Sequence, residues 1–229
     1  MSSGYYQLEN GHVAAIEGGC PFPPLSLALT EPNGLIAIGG DLSATRLLSA
    51  YKQGIFPWFN EGEPILWWSP NPRMVLFPEE LKISNSLKKT LKKLPFEIRF
   101  NTAFREVIKA CSHTPRNDQG GTWISLEMIN AYSKLHDLGY AICMESWLNG
   151  KLVGGCYGVK LNNMFYGESM FHLITDASKV AFVHLVEYLK YQGVGMIDCQ
   201  MKTHLLTNFG GREISRDDFM QNITKLVNF

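Results

Sequence analysis

The spacing of apolar positions changes partway along this chain, and the change separates a helix-rich half from a strand-rich half. Up to Gly139, apolar residues recur every three to four positions in four segments, which is the period of an amphipathic helix. From Tyr140 the apolar runs are short, and Asn149-Gly150 and Asn162-Asn163 supply turn residues between them, which predicts an antiparallel meander. The helices predicted in the first half are 41–54, 86–94, 103–111 and 125–138.

A long helix at 176–192 follows the meander and leads to a strand at 196–201, a short helix at 203–208 and a last strand at 212–214. This order predicts an α+β domain of the acetyltransferase (GNAT-like) type, in which two central strands splay and acyl transfer occurs in the gap. Users of coenzyme A in that fold place a glycine-rich turn before the long helix, where backbone amides hold the pyrophosphate. Residues 172–179 contain no glycine, which argues against coenzyme A.

Residues 54–73 hold three of the chain's five Trp residues among four prolines. Proline removes a backbone donor and fixes φ, so neither a helix nor a central strand is expected there. The sequence predicts a stiff loop whose aromatic rings pack on a neighbouring domain or receive a ligand. We expect a domain boundary near its end, with a small N-terminal α/β domain at 1–71 and the acetyltransferase-like domain at 72–229.

Composition narrows the class of protein. A hydrophobic content of 45% suits a globular chain, and 21 basic and 21 acidic side chains cancel, so a polyanion must meet a local patch. Five cysteines without a Cys-x-x-Cys pair and six histidines without ligand spacing predict reduced thiols and no metal. No apolar run is long enough to span a bilayer and the N-terminus does not read as a signal peptide, so we expect a cytoplasmic protein.

The strongest basic cluster lies on the predicted helix 86–94. Its apolar stripe of Leu87, Leu91 and Leu94 leaves the lysines on other faces, and Pro95 ends it. Such lysines are more often simply hydrated than bound to phosphates, and the pattern leaves both interpretations open. The four residues are Lys88, Lys89, Lys92 and Lys93.

Five longer strings occur in this order: 31–42, 54–73, 121–124 (Gly-Thr-Trp-Ile), 166–171 (Tyr-Gly-Glu-Ser-Met-Phe) and 197–200 (Ile-Asp-Cys-Gln). Together they resemble the leucyl/phenylalanyl-tRNA–protein transferases, a family of bacterial cytosolic enzymes. The resemblance implies transfer of Leu or Phe, with Met a further candidate, from aminoacyl-tRNA to a protein whose N-terminal residue is Arg or Lys. It also implies that the modified protein enters N-end rule degradation, and that the reaction needs no cofactor.

The resemblance also implies site residues. By position in the strings, Glu168, Asp198 and Gln200 correspond to the catalytic residues, and Trp58 is placed to stack on the terminal adenine of the tRNA. Trp58 is equally well explained as an aromatic clasp between domains. The remaining positions correspond to an apolar slot for the donor side chain: Trp123, Cys156, Phe165, Met170, Leu185 and Ile197.

Without the resemblance, the same residues have ordinary explanations. Asp198 and Gln200 occupy alternate positions of a strand, as solvated residues of an edge strand do, and Glu168 suits a surface position as well as a site. Aromatic and Met residues at these spacings are usually core.

The chemistry does not require a covalent enzyme nucleophile. An aminoacyl ester is already activated, and a free α-amino group with a pKa near 7.7 to 8.0 is partly neutral at pH 7. The site has to hold amine and ester together and stabilise the charge that develops. A neutral amide is a very poor proton acceptor, so we assign Gln200 to orienting the amine, with Asp198 holding Gln200 or the amine. The cationic acceptor end calls for a carboxylate, and Glu168 and Asp198 are both candidates.

Cys156 stands where a well-known member of the family has a methionine, so the slot is expected to be wider here and its preference for Leu or Phe is undecided.

Two further functions remain open. A coenzyme-A-dependent N-acetyltransferase fits the predicted fold but not the missing glycine turn. A non-catalytic tRNA-binding module would use the same lysines and tryptophans without needing Glu168 or Gln200.

Overall fold

The computed structural model describes residues 4–8, 11–93, 95–114 and 124–227 of the chain. Two sheets follow one another in sequence, with helices packed on them, so the α+β class is confirmed. Within these ranges, no helix is both long and apolar enough to cross a membrane. No disulfide bond joins any of the five cysteines, all of which lie within the described ranges.

Five strands form the first sheet: β1 (Tyr5–Leu8), β2 (Gly11–Ile16), β3 (Leu35–Gly39), β4 (Phe56–Pro57) and β5 (Leu66–Trp68). Their spatial order is β1-β2-β3-β5-β4, with β2 and β3 parallel and the other neighbours antiparallel. The helix α1 (Ala44–Lys52) lies between β3 and β4 in sequence, which confirms the predicted helix. Its N-cap is Ser43, whose side chain accepts a hydrogen bond from the Arg46 amide.

The prediction of a loop at 54–73 is wrong in part, because β4 and β5 lie inside it and β5 is flanked by β3 and β4. The positions of the prolines explain the difference. Pro57 belongs to β4, the edge strand of the sheet, where a missing backbone donor is tolerated. Pro64, Pro70 and Pro72 all lie outside the strands, so the run between them is free to form a central strand.

Seven strands form the second sheet: β6 (Arg73–Leu76), β7 (Glu97–Phe100), β8 (Ala141–Leu148), β9 (Lys151–Leu161), β10 (Met164–His172), β11 (Met196–Gln200) and β12 (Arg212–Ile214). Their order is β12-β6-β11-β10-β9-β8-β7. The predicted meander is confirmed as β8, β9 and β10, which pair antiparallel. Only β10 and β11 among these neighbours run parallel.

The remaining helices are α2 (Asn85–Lys93), α3 (Phe104–Ser112), α4 (Leu126–Asp137), α5 (Ala177–Tyr191), α6 (His204–Asn208) and α7 (Arg216–Val227). The predicted helices are confirmed, and α7 is an additional one that the sequence pattern did not reveal. Helices α3 and α4 pack on one face of the second sheet, and α2 and α5 on the other.

Side chains of the meander alternate between these two faces, as the period of a strand requires. In β8, Cys143 belongs to the core beneath α3 and α4, whereas its neighbours Ile142 and Met144 belong to the core beneath α5. Because both faces are covered, the central strands are buried on both sides. This explains why their sequences read as continuous apolar runs.

The last strand of the first sheet ends at Trp68 and the first strand of the second sheet begins at Arg73. We propose that the domain boundary lies between 71 and 72, within this connection. The two units share one continuous core, since Tyr51 of α1 and Tyr132 of α4 belong to the same buried cluster.

Candidate active site

Strands β10 and β11 separate at the middle of the second sheet. The last position at which they pair joins Tyr166 to Asp198. Beyond it each strand carries an irregularity on its other side: the register of β10 against β9 shifts around Glu168, and that of β11 against β6 shifts around Cys199. The strands therefore diverge, leaving a gap with Glu168 on one wall and Gln200 on the other.

A cavity of about 520 Å³ opens at this gap. Most of the residues that the sequence assigned to the site contribute to its lining, and the first turn of α5 contributes Ser178 and Lys179. Trp123, which was assigned to the same pocket, lies outside the described residues. The predicted residues that line the cavity are Trp58, Cys156, Phe165, Glu168, Met170, Leu185, Ile197 and Gln200.

Glu168 is held by two tyrosines from different parts of the chain. The Tyr51 hydroxyl donates to its Oε1 at 2.6 Å, and the Tyr132 hydroxyl donates to its Oε2 at 3.0 Å. Burial raises the pKa of Glu168 from 4.5 to about 7, although the two hydroxyl donors act to lower it. A carboxyl group with this pKa changes its protonation near neutral pH, which suits proton transfer.

Asp198 does not face the cavity. Its fully buried carboxylate forms a bidentate ion pair with the equally buried Arg73, at 2.8 Å from Nε to Oδ1 and 2.7 Å from Nη2 to Oδ2. Arg73 also donates to the carbonyl of Gly54 and lies between the rings of Phe56 and Phe219. The interpretation of Asp198 as a solvated edge-strand residue is therefore wrong, because β11 is an inner strand of the sheet.

Asp198 instead supports the backbone of Gln200. Its Oδ1 accepts a hydrogen bond from the Gln200 amide at 2.9 Å, and the Met201 amide donates to the carbonyl of Cys199 at 2.7 Å. Together these bonds close a tight turn in which Gln200 has a φ of 56°, in the left-handed region that non-glycine residues rarely occupy. The turn presents the Gln200 side chain to the cavity.

The tryptophans of the 54–73 segment divide between two roles. Trp67 is fully buried and donates from its indole nitrogen to the carbonyl of Gly39, as a core residue does. Trp58 is partly exposed and lines the cavity, while the indole of Trp68 donates to its carbonyl and packs edge-on against its ring at 5.7 Å. Trp58 is thus held in place with part of its ring open to a ligand.

The apolar slot lies on the α5 face of the sheet. Phe165, Ile197 and Cys156 are buried and come from three adjacent strands, and Leu185 of α5 covers them. Met170, which is partly exposed, packs against the same cluster. The small side chain of Cys156 leaves more room in the slot than a longer residue would.

The lysines of α2 stand apart from the cavity lining but on an element tied to it. The hydroxyl of Thr90 donates to the carboxylate of Asp176 at 3.0 Å, and Asp176 is the N-cap residue of α5, whose first turn lines the cavity. Asp176 also pairs with Lys179 at 2.9 Å. All four α2 lysines are exposed, and no ion pair involves them within the part of the chain that the structure describes.

Three residues that hold the carboxylates of the site were not foreseen: Tyr51, Tyr132 and Arg73. The tyrosines lie on helices far apart in sequence, and each resembles an ordinary core position of an apolar stripe. Arg73 carried a detectable signal, because it opens an apolar strand just as Asp198 interrupts one. Opposite charges that stand alone in two apolar strands are expected to pair.

The splayed parallel pair, the flanking meander and the cavity between them place this chain in the class of acetyltransferase-like acyltransferases. Residues 75–224 match the family described as leucyl/phenylalanyl-tRNA protein transferase, and residues 40–71 match the N-terminal domain of the same proteins. The chain belongs to the leucyl/phenylalanyl-tRNA–protein transferase family, which confirms the resemblance.

Relatives of that name cover most of the chain. The one from Nitrosospira multiformis is 59% identical over 208 residues, spanning 91% of this chain and 89% of the relative. The one from Nitrosomonas europaea is 61% identical over 206 residues, spanning 90% and 87%. Among solved structures, L-PGS from Bacillus licheniformis matches with a TM-score of 0.45 at 11% identity, covering 85% of this chain and 73% of that one.

Proposed function

We propose that this chain transfers Leu or Phe from aminoacyl-tRNA to the α-amino group of proteins that begin with Arg or Lys, and so marks them for N-end rule degradation. The observation that carries the proposal is the cavity at the end of the β10–β11 pair, which joins an apolar slot to a carboxyl group and an amide. Close relatives bear the name of this activity. We place the reaction in the cytoplasm, where charged tRNA is available.

Juxtaposition is the main contribution that we assign to the cavity. The ester is activated before it binds, so holding the acceptor amine against its carbonyl carbon supplies most of the acceleration. The Gln200 amide is placed to hydrogen-bond the attacking amine or the developing oxyanion. Asp198 acts through Gln200 as a positioning residue, because its carboxylate accepts a hydrogen bond from the backbone N–H of Gln200 and does not contact a ligand.

Glu168 is the carboxylate that we assign to the acceptor's α-amine. Asp198 was the other candidate, but its charge is already neutralised by Arg73 in a buried, bidentate pair. An acceptor cation would have to break that pair before it could bind there. Glu168 lines the cavity directly.

We assign the donor to the apolar slot and the aromatic wall. An apolar slot distinguishes side chains by only about 1 to 3 kcal/mol per methylene, so its shape has to exclude the β-branched Val and Ile. Trp58 would stack on the terminal adenine, since base stacking on an aromatic ring contributes about 1 to 3 kcal/mol. The lysines of α2 would meet phosphates further along the acceptor stem.

Coenzyme A remains a poor fit. In acetyltransferases the pyrophosphate lies at the start of the long helix, where free amides and the helix dipole favour an anion. Here the N-cap residue of α5 is Asp176, whose carboxylate bonds Thr90 and Lys179 and not the helix amides, and so places a negative charge next to that end of the helix. A second anion would be repelled.

The test compares donors and acceptors in one assay. The chain is incubated with Leu-tRNA, Phe-tRNA, Val-tRNA or acetyl-coenzyme A, together with peptides beginning with Arg or Ala. We expect labelling of the Arg peptide by Leu-tRNA and Phe-tRNA that ribonuclease abolishes. Labelling by acetyl-coenzyme A would select the acetyltransferase, and tRNA binding without labelling would select the binding module.

A further inference from the structure

Three oxygen-bearing groups contact one another pairwise behind the cavity. The Tyr51 hydroxyl touches Glu168 Oε1, the Tyr132 hydroxyl touches Glu168 Oε2, and the two hydroxyls contact each other. The groups come from α1, α4 and β10, so the contact joins the first sheet's helix to the central strand of the second sheet. Both tyrosines are fully buried. The three residues form a closed hydrogen-bonded ring.

The number of protons in this ring depends on the charge of Glu168. With an ionised carboxylate, the two hydroxyl protons fill only two of the three contacts. When Glu168 carries a proton, it can donate to one hydroxyl, that hydroxyl to the other tyrosine, and the second tyrosine back to the carboxyl group. All three contacts then hold a hydrogen bond. The ring is therefore built to accept one further proton from the cavity side.

We propose that Glu168 accepts the proton that the acceptor's amine loses during transfer, and that Tyr51 and Tyr132 are positioning residues that hold its carboxylate, in the ionised form, ready to receive that proton. The inference rests on the proposed function and assigns the proton acceptor in it. The amine nitrogen forms a bond to the ester carbonyl carbon, and one proton passes from that nitrogen to Glu168. As the bond from the carbonyl carbon to the ribose oxygen breaks, the proton passes from Glu168 to that oxygen. Glu168 ends as it began.

The groups that act on Glu168 come from every element around it. Desolvation raises its pKa, the hydroxyls of Tyr51 and Tyr132 lower it as donors, Asp198 of β11 raises it, and Arg73 of β6 lowers it. Two other tyrosines lie close to the hydrogen-bonded ring. The aromatic ring of Tyr157 contacts that of Tyr132, and the Tyr166 hydroxyl donates to the carbonyl of Tyr51. Removing one ring hydroxyl removes a donor to the ionised form, so the pKa of Glu168 should rise.

The first measurement follows Glu168 in the free protein. Infrared difference spectra record the protonated carboxyl band against pH, and Glu168→Gln identifies it. Tyr51→Phe and Tyr132→Phe should each move the midpoint upward by about one pH unit. Tyr166→Phe is the matched control, since it removes a buried hydroxyl that bonds only the backbone of Tyr51. Midpoints equal to the parent's in both ring variants would overturn the assignment of the tyrosines.

The second measurement is single-turnover transfer from Leu-tRNA to an Arg peptide as a function of pH. The pH at which the transfer rate rises should shift upward in Tyr51→Phe and Tyr132→Phe and not in Tyr166→Phe. Ionisation of the peptide amine is the same in all of these proteins, so it cannot cause a difference between them. In Glu168→Gln, the part of the pH dependence that is due to Glu168 should disappear, and transfer should be at least tenfold slower. A limb that does not move in a folded ring variant contradicts this inference alone. Absence of transfer in the parent chain at every pH contradicts the proposed function instead.

Discussion

Gln200 combines an unfavourable backbone conformation with a position in the cavity. A non-glycine residue in the left-handed region costs about 1 kcal/mol or more, and such residues persist where the surrounding structure holds them. Here the Asp198 carboxylate accepts a hydrogen bond from the backbone amide of Gln200, and the ion pair with Arg73 holds that carboxylate in place. The strain keeps an amide side chain at the point where the strands diverge.

Replacing Gln200 with glycine should separate stability from activity. Glycine adopts a φ of 56° without steric cost, so the free energy of unfolding should stay the same or increase by up to about 1 kcal/mol. Single-turnover transfer should fall at least tenfold, because the amide is lost. Urea unfolding and rapid-quench assays measure the two effects. A glycine variant that transfers at the parent rate would remove Gln200 from the mechanism.

Cys156 should set the width of the donor slot. Cys156→Met adds volume to a buried position beside Phe165 and Leu185, so the larger Phe should be disfavoured relative to Leu. We expect the ratio of kcat/KM for Leu-tRNA over Phe-tRNA to rise by about tenfold, which corresponds to about 1.4 kcal/mol. Cys111→Ser is a control at a buried thiol outside the cavity lining. An unchanged ratio would place the donor side chain elsewhere.

At the scale of elements, α2 and α5 act as a unit beside the cavity. The two helices pack together, and Thr90 of α2 bonds the residue that caps α5. The buried side of α2 is anchored by Leu87, so its lysines project outward at a fixed place relative to the cavity. This geometry makes α2 suitable for phosphates that lie next to a bound terminal adenosine.

Reversing the charge of Lys88 and Lys92 should weaken tRNA binding without affecting the fold. Loss of two phosphate contacts should lower affinity at low salt and reduce the slope of log K against log salt by about 1.4 to 1.8. Lys109→Glu with Lys134→Glu provides the control, as these exposed lysines lie on α3 and α4, on the opposite face of the sheet. Filter binding across salt concentrations measures the slope. Equal slopes in both double variants would mean that the α2 lysines are simply hydrated.

At the scale of the whole molecule, Arg73 connects the two sheets. It pairs with Asp198 of β11, bonds the carbonyl of Gly54 and packs against Phe56 of the first sheet and Phe219 of α7. The side chain is almost completely buried. One residue therefore joins the first sheet, the second sheet and the last helix, and it lies directly behind the Gln200 turn.

Removal of Arg73 should destabilise the protein strongly. Arg73→Met leaves the Asp198 carboxylate buried and unpaired, which costs about 3 to 5 kcal/mol. The double variant Arg73→Met with Asp198→Asn should recover part of that loss, since no isolated charge remains. Arg105→Met breaks an exposed ion pair with Asp137 and should have little effect. Urea denaturation measures all three, and a loss as small as that of Arg105→Met would contradict the role of Arg73.

Glu168 should make global stability depend on pH. Its pKa is raised on folding from 4.5 to about 7, so the folded state binds its proton more tightly than the unfolded state. The stabilisation is fully present below pH 4.5 and is lost as pH rises through 7. Relative to Glu168→Gln, the parent should lose up to about 3 kcal/mol over that interval. A difference between the two proteins that does not change with pH would contradict the raised pKa.

Local pattern sufficed for helices α1 to α6 and for the meander strands, because each of these elements obeys its own period and has its own end signals. The helix at α5 and the meander strands were recovered from apolar spacing and from the Asn149-Gly150 turn. The tryptophan segment was harder, because the effect of a proline depends on whether its strand lies at the edge of a sheet. That position is set by pairing between distant residues, such as Leu35 with Trp68.

The sequence by itself determined the family, the order of most elements and eight residues of the cavity lining, since these depend on local spacing and on contiguous strings. The tertiary structure alone decided which charges are satisfied. It paired Asp198 with Arg73, 125 positions earlier in the chain, and closed a ring between Glu168 and two tyrosines on separate helices. Electrostatic roles depend on distance and burial in three dimensions, and no local pattern carries either quantity.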